Sequence, residues 1–207
     1  WVGTAKLGHP IKRFVWIGDV PIDQGEAHAI YRERWHPTRA DLEDLHTGYE
    51  NLRQRIVKCE NCRVVDLSAA AGRTMAALAS ESLSDLDDDV MAFLFGELRG
   101  DAIYFRDGSQ LPLSSIRTKA TYQILACNSY KSASIQPGLV GVTTDAISPN
   151  WAFNVGHAAL DKLESSIKAN QGFTQRSLVL ELQAKEKVVT VVASNTIALH
   201  APTDQLA

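Results

Sequence analysis

Asp87–Ile116 reads DDDVMAFLFGELRGDAIYFRDGSQLPLSSI. Three acidic residues lead into Val90–Phe95, six apolar residues without a break. A strand with one wet face alternates polar and apolar positions. An unbroken run therefore predicts a strand covered on both faces, as in a parallel sheet. Gly96 ends the run, and Ala102–Phe105 follows as a short strand closing at the Asp107-Gly108 turn. Outward from this centre, Arg13–Val20 (RFVWIGDV), Cys62–Leu67, Tyr122–Cys127 and Leu139–Thr144 read as further strands.

Helical patterns separate these runs. Ala40–Lys58 places Leu42, Leu45, Tyr49, Leu52 and Ile56 on one stripe at three- and four-residue spacing. His46 falls off that stripe, a solvated position. Arg73–Leu83 is rich in Ala, Met and Leu. Ser148-Pro149 opens a long helix, with Ser as cap and Pro at the first helical position. Its apolar face carries Val155, Ala159, Leu163 and Ile167. Pro21–Thr38, polar and holding two prolines and Gly25, reads as a long loop. Ser177–Leu182 and Lys187–Ala193 read as a C-terminal β-hairpin about Lys185-Glu186. The alternation predicts an α/β fold, a three-layer sandwich around a mostly parallel central sheet. The expected organisation is a flexible lead-in over 1–12, a single domain over 13–200 and a loose tail over 201–207.

Composition narrows the classes. The 207 residues are 45% hydrophobic and 22% charged, enough apolar material for a core and against disorder as the main state. No run approaches the ~20 apolar residues of a membrane-spanning helix. The net charge of −3 gives no reason to expect nucleic acid. Trp1 in place of Met reads as a piece of a longer protein. Three cysteines, an odd and low number, argue against a secreted disulfide scaffold and for a reducing cytoplasm.

Two motifs lead away from cofactors and metals. Ala69–Arg73 (AAAGR) lies between a strand and a helix, where an anion can meet a helix N-terminus. It has one glycine and no Lys-Ser/Thr, so it is not a phosphate-binding loop. Cys59-Glu60-Asn61-Cys62 is half of a zinc site or a redox pair. No second pair completes it, and it precedes a strand instead of opening a helix. The two cysteines read as structural or incidental, with no metal and no cofactor expected.

Active sites in such sheets form at the carboxyl ends of the strands. Cys127 ends one central strand and is followed by Asn128 and Ser129. A thiol there becomes a nucleophile if its surroundings favour the thiolate. The neighbouring strand end offers Glu97 and Arg99 but no histidine. A carboxylate beside a thiol raises its pKa; arginine offsets that charge but cannot act as a base. His157, on the long helix, is the alternative base. Asp19, at the end of the first strand, joins Arg99, Asn128 and Ser129 as lining of a binding crevice.

The order of these elements resembles the caspase-like clan of cysteine peptidases, including metacaspases and bacterial CHAT domains, over residues 13–170. Ile17–Asp19 (IGD) is similar to the end of that family's first strand, and VVDLSAAAGRTMAAL (Val64–Leu78) to the segment before its third. Asp87–Ile116 is the closest piece; the family reads apolar strand, Ser-Gly-His-Gly, short strand and acidic-Gly turn. ILACNSY (Ile124–Tyr130) resembles the strand that ends in the catalytic cysteine, and Leu139–Leu163 the strand and helix completing the sheet. The resemblance puts Cys127 at the nucleophile position and Glu97 at the position of the family's histidine. Leu125 stands where metacaspases often carry an acidic residue. It therefore implies a degenerate peptidase domain, an interaction or regulatory module of a larger protein. Its partner would be another protein or other domains of the parent chain, with an oligomer left open. One alternative is an active cysteine endopeptidase using Cys127 and a nonstandard base. The other is a nucleotide or small-ligand sensor on a Rossmann-like sheet.

Overall fold

Two neighbouring strands are almost wholly buried, β2 (Arg13–Gly18) and β4 (Val90–Phe95). The computed structural model describes residues 10–31, 36–126, 139–143, 149–168, 173–174, 188–193 and 197–200. β2 is parallel to β3 (Cys62–Asp66) on one side and to β4 on the other. β4 is in turn parallel to β8 (Thr121–Leu125), and β8 to β9 (Leu139–Thr143). β11 (Val188–Ala193) runs antiparallel to β9, and β12 (Ile197–His200) antiparallel to β11. The sheet order is β12-β11-β9-β8-β4-β2-β3, so the fold is mixed α/β with a mostly parallel sheet.

Alternation along the buried strands sends side chains to two cores. Phe14, Trp16, Met91, Phe93 and Phe95 face one core with α2 (Arg39–Val57) and α4 (Pro149–Lys168). Val15, Ile17, Val90, Ala92 and Leu94 face the other with α3 (Met75–Ser84). The predicted stripe of α2 is buried at all five positions, Leu42 through Ile56. Its start is fixed by a capping box: Thr38 Oγ1 accepts from Asp41 N–H, and the Asp41 carboxylate accepts from Thr38 N–H. Val155, Ala159 and Leu163 of α4 are buried as the pattern predicts; Ser148 and the Ile167 side chain lie outside the described residues.

Several local readings change. The long loop over Pro21–Thr38 contains a helix, α1 (Gln24–Tyr31). Its start is an Asp-x-x-Glu signature: Glu26 N–H donates to Asp23 Oδ1, and Glu26 Oε2 accepts from Ile22 N–H. The single short strand expected at Ala102–Phe105 is the middle of a three-stranded antiparallel ribbon of β5 (Glu97–Arg99), β6 (Ala102–Tyr104) and β7 (Gln110–Pro112). Its turn at Gly108 has φ +80°, the left-handed region that glycine enters without a Cβ clash. The lead-in is partly built: Pro10–Ile11 is a strand, β1, paired with β10 (Phe173–Thr174). Val188–Ala193 has both edges taken by β9 and β12, so its hairpin partner is Ile197–His200; Ser177–Leu182 lies outside the described residues, as does the tail. His46 is half-buried, its Nε2 2.7 Å from the Pro21 carbonyl oxygen, because Pro21–Tyr31 folds back over α2.

Candidate functional site

The chain leaves β2 to one side, to β3, and returns across it to β4. Where strand order reverses like this, the adjacent strand ends diverge and leave a crevice. Asp19 after β2, and Phe95 and Gly96 at the end of β4, line it. Gly18 and Gly96 are both tightly packed: a Cβ on Gly18 would lie 2.9 Å from Phe95 Cβ of the neighbouring strand, and one on Gly96 2.7 Å from Ile103 Cγ2 of β6.

Asp19 and Arg106 occupy this crevice. Both side chains are largely buried, at 10% and 14% exposure. Arg106 Nε forms a close ion pair with Asp19 Oδ2, and its Nη1 reaches Glu26 Oε2 at 3.1 Å. Asp19 Oδ1 accepts from Val20 N–H at 2.8 Å. Burial pushes the Asp19 carboxyl up to about 6, outweighing the pull of Arg106. Ile30, Tyr31, Tyr104 and Phe105 close the remaining space to a void of about 20 Å³. That volume holds about one water.

The sequence-predicted residues distribute unevenly around this point. Glu97 is 1% exposed and opposes Tyr104 in the β5–β6 ladder. The Arg99 guanidinium sits 4.7 Å above the Tyr104 ring centre and donates to the Ala29 carbonyl, joining the ribbon to α1. Asp19, Glu97 and Arg99 thus share the crevice end of the sheet. Cys127, Asn128 and Ser129 lie outside the described residues; the description of that strand ends at Ala126, 2% exposed.

His157 belongs to a different place. It lies in the seam between α2 and α4, where Arg55 Nη1 meets its Nδ1 at 3.4 Å and its carbonyl oxygen at 3.1 Å. Burial and then the Arg55 charge hold its pKa below the ordinary imidazole value. Tyr49 marks the level of the strand end, since its hydroxyl donates to the Gly18 carbonyl. Arg55 is six residues further along α2, roughly 9 Å toward the strand starts at 1.5 Å per residue. The groove His157 lines, with Asp44, Asn51, Phe153 and Asn154, opens on the helix side of the sheet.

The anion site suggested by AAAGR is already filled. α3 begins at Met75, and Met75 N–H donates to Asp107 Oδ2 at 2.8 Å while Ala76 N–H donates to Ser109 Oγ at 3.0 Å. Burial works against the Asp107 carboxyl, but its bonds from Ser109 and from the Met75 N–H hold it below the ordinary carboxylate range. A carboxylate of the chain itself thereby caps the helix where a phosphate would sit.

Cys59 and Cys62 are joined as a disulfide, with Cα atoms 5.2 Å apart, across the turn from α2 to β3. Among the described residues no group of three or more His, Cys, Asp or Glu side chains could hold a metal ion. No described helix is long and apolar enough to cross a membrane. Reading the sequence alone missed Arg106, Glu26, Asp107 and the two tyrosines. The usable signals were Asp23-x-x-Glu26 and the acidic-Gly turn; the Asp19–Arg106 pairing spans 87 residues and leaves no local trace. No protein-family model matches the chain, and no curated protein matches it in sequence.

Proposed function

We propose that this chain is a degenerate caspase-like cysteine-peptidase domain that works as an interaction or regulatory module of a larger protein. The observation that carries the proposal is the filled crevice. A peptidase of this class needs an open pocket at the strand ends and a base beside its thiol. Among the described residues, the crevice between the ends of β2 and β4 is taken by the chain's own Asp19–Arg106 pair and two tyrosines. Glu97 is buried at the position where the family's histidine is expected. The strand order, with antiparallel β11 at the far side of five parallel strands, and helices against both faces support the caspase-like, three-layer reading.

Among the described histidine side chains, His28 lies against His36, His46 against the Pro21 carbonyl and His157 against Arg55. The sensor alternative loses its anion site to Asp107. The low, odd cysteine count favours a cytoplasmic module, and the Cys59–Cys62 disulfide stands against that placement.

The test is alkylation of Cys127 against pH, combined with a fluorogenic peptide panel. With Cys59 and Cys62 joined, Cys127 is the remaining thiol of the sequence. The expected rate climbs only near the free-thiol value of about 8.5, and no peptide is cleaved. Cleavage that disappears in Cys127→Ala overturns the proposal.

A further inference from the structure

His28 and His36 face each other outside the crevice, both in exposed positions. Their Nδ1 atoms are 3.4 Å apart and their ring centres 5.2 Å apart. A separation of 3.4 Å is long for a hydrogen bond between nitrogens. It is the separation of two ligands on one tetrahedral ion. Metal–nitrogen bonds of about 2.05 Å at the tetrahedral angle place the nitrogens about 3.4 Å apart. Each ring centre lies about 1.2 Å behind its nitrogen, which puts the centres about 5.2 Å apart in the same geometry. The two rings are inclined at 29° to one another.

The pair is also held in place. His28 lies on α1, four residues after Gln24 and so on the same face. Gln24 Nε2 donates to the carbonyl oxygen of Pro37 at 2.9 Å, which fixes the residue next to His36 against that helix. Thr38 then caps α2. Both imidazoles are thus carried by segments anchored independently of the rings, the condition for a preorganised ligand pair.

We propose that His28 and His36 are the protein ligands of an open site for a borderline divalent ion of the Zn²⁺ type, with its other positions left to water or an exogenous donor. Imidazole nitrogens select zinc, nickel and copper over magnesium or calcium, which prefer oxygen. An ion here ties α1, whose Ile30 and Tyr31 wall the crevice, to the start of α2. The site does not depend on the peptidase reading.

The test is calorimetric titration of tag-free, oxidised protein with ZnCl₂, alongside His28→Ala, His36→Ala and the double variant. The exposed positions make folding of the variants straightforward to verify by circular dichroism. The expected result is one equivalent bound by the wild type, weakened at least about tenfold by each single substitution, the lower end of what loss of even an outer-shell partner costs. Excess Mg²⁺ leaves binding unchanged. Absence of binding, binding retained in the double variant, or displacement by Mg²⁺ each overturns the proposal.

Discussion

Asn in place of Asp19 keeps the shape of the side chain and removes its charge. The buried carboxyl is raised from 3.8 to about 6, even with Arg106 beside it. The native state therefore holds a proton that the unfolded chain releases between those values. Stability falls as pH rises through that interval and bears the full cost above about 6. At 1.36 kcal/mol per pH unit the interval corresponds to about 3 kcal/mol. Solvent at the crevice rim reduces the working figure to about 2 kcal/mol. Arg106 keeps Glu26 as a partner in the variant. Asp19→Asn should match the wild type near pH 4 and exceed it by about 2 kcal/mol at pH 7 to 8. For a chain of this size that is a Tm difference of about 4–8 °C. His157 acts in the opposite sense. Its lowered pKa removes stability as pH falls below the ordinary imidazole value, but equally in both proteins, so the difference isolates Asp19. Thermal unfolding of both proteins from pH 4 to 8 is the assay. Parallel profiles, or an Asn variant less stable at pH 8, would refute the reasoning and make the Asp19–Arg106 pair a net stabiliser.

Three other outcomes follow from the packing. Gln123 is fully buried with no hydrogen-bond partner for its side-chain amide among the described residues, so Gln123→Met should raise stability by about 1–3 kcal/mol in urea titrations. Gly96→Ala puts a methyl 2.7 Å from buried Ile103 and should cost about 1–3 kcal/mol, read as a lower urea midpoint at unchanged slope. Reducing Cys59–Cys62 releases a closed loop of four residues, a loss of at most about 2 kcal/mol, and Cys59→Ser/Cys62→Ser should abolish the dependence of Tm on dithiothreitol.

What could be read from the chain follows the length scale of each signal. α2 was legible because five apolar residues repeat over 19 positions and all five are buried. The unbroken run Val90–Phe95 correctly implied a strand covered on both faces. α1 is eight residues long and contains Gly25; caps and contacts with α2 decide it, and these outweigh propensity. β5 and β7 have three residues each, too few for a period of two to register. At the site, Gly96 marked the end of β4, and Glu97 and Arg99 follow it on the first strand of the ribbon. Asp19 was read as crevice lining from its strand end, but its pairing with Arg106 was not legible, because the two meet only once the sheet and ribbon are assembled.

The position of β2 between β3 and β4 also has a cost in time. Trp16 is fully buried, and it stacks on Phe93 and Phe95, which lie 77 and 79 residues later in the chain. At about 5–20 residues per second, the ribosome needs roughly 4–16 s to deliver them. Throughout that interval Phe14–Ile17 is an apolar segment with one strand edge unmatched, since β3 can occupy only the other. A newly made chain is therefore most vulnerable at its first central strand, and holding that segment apart until β4 emerges is a task for a chaperone.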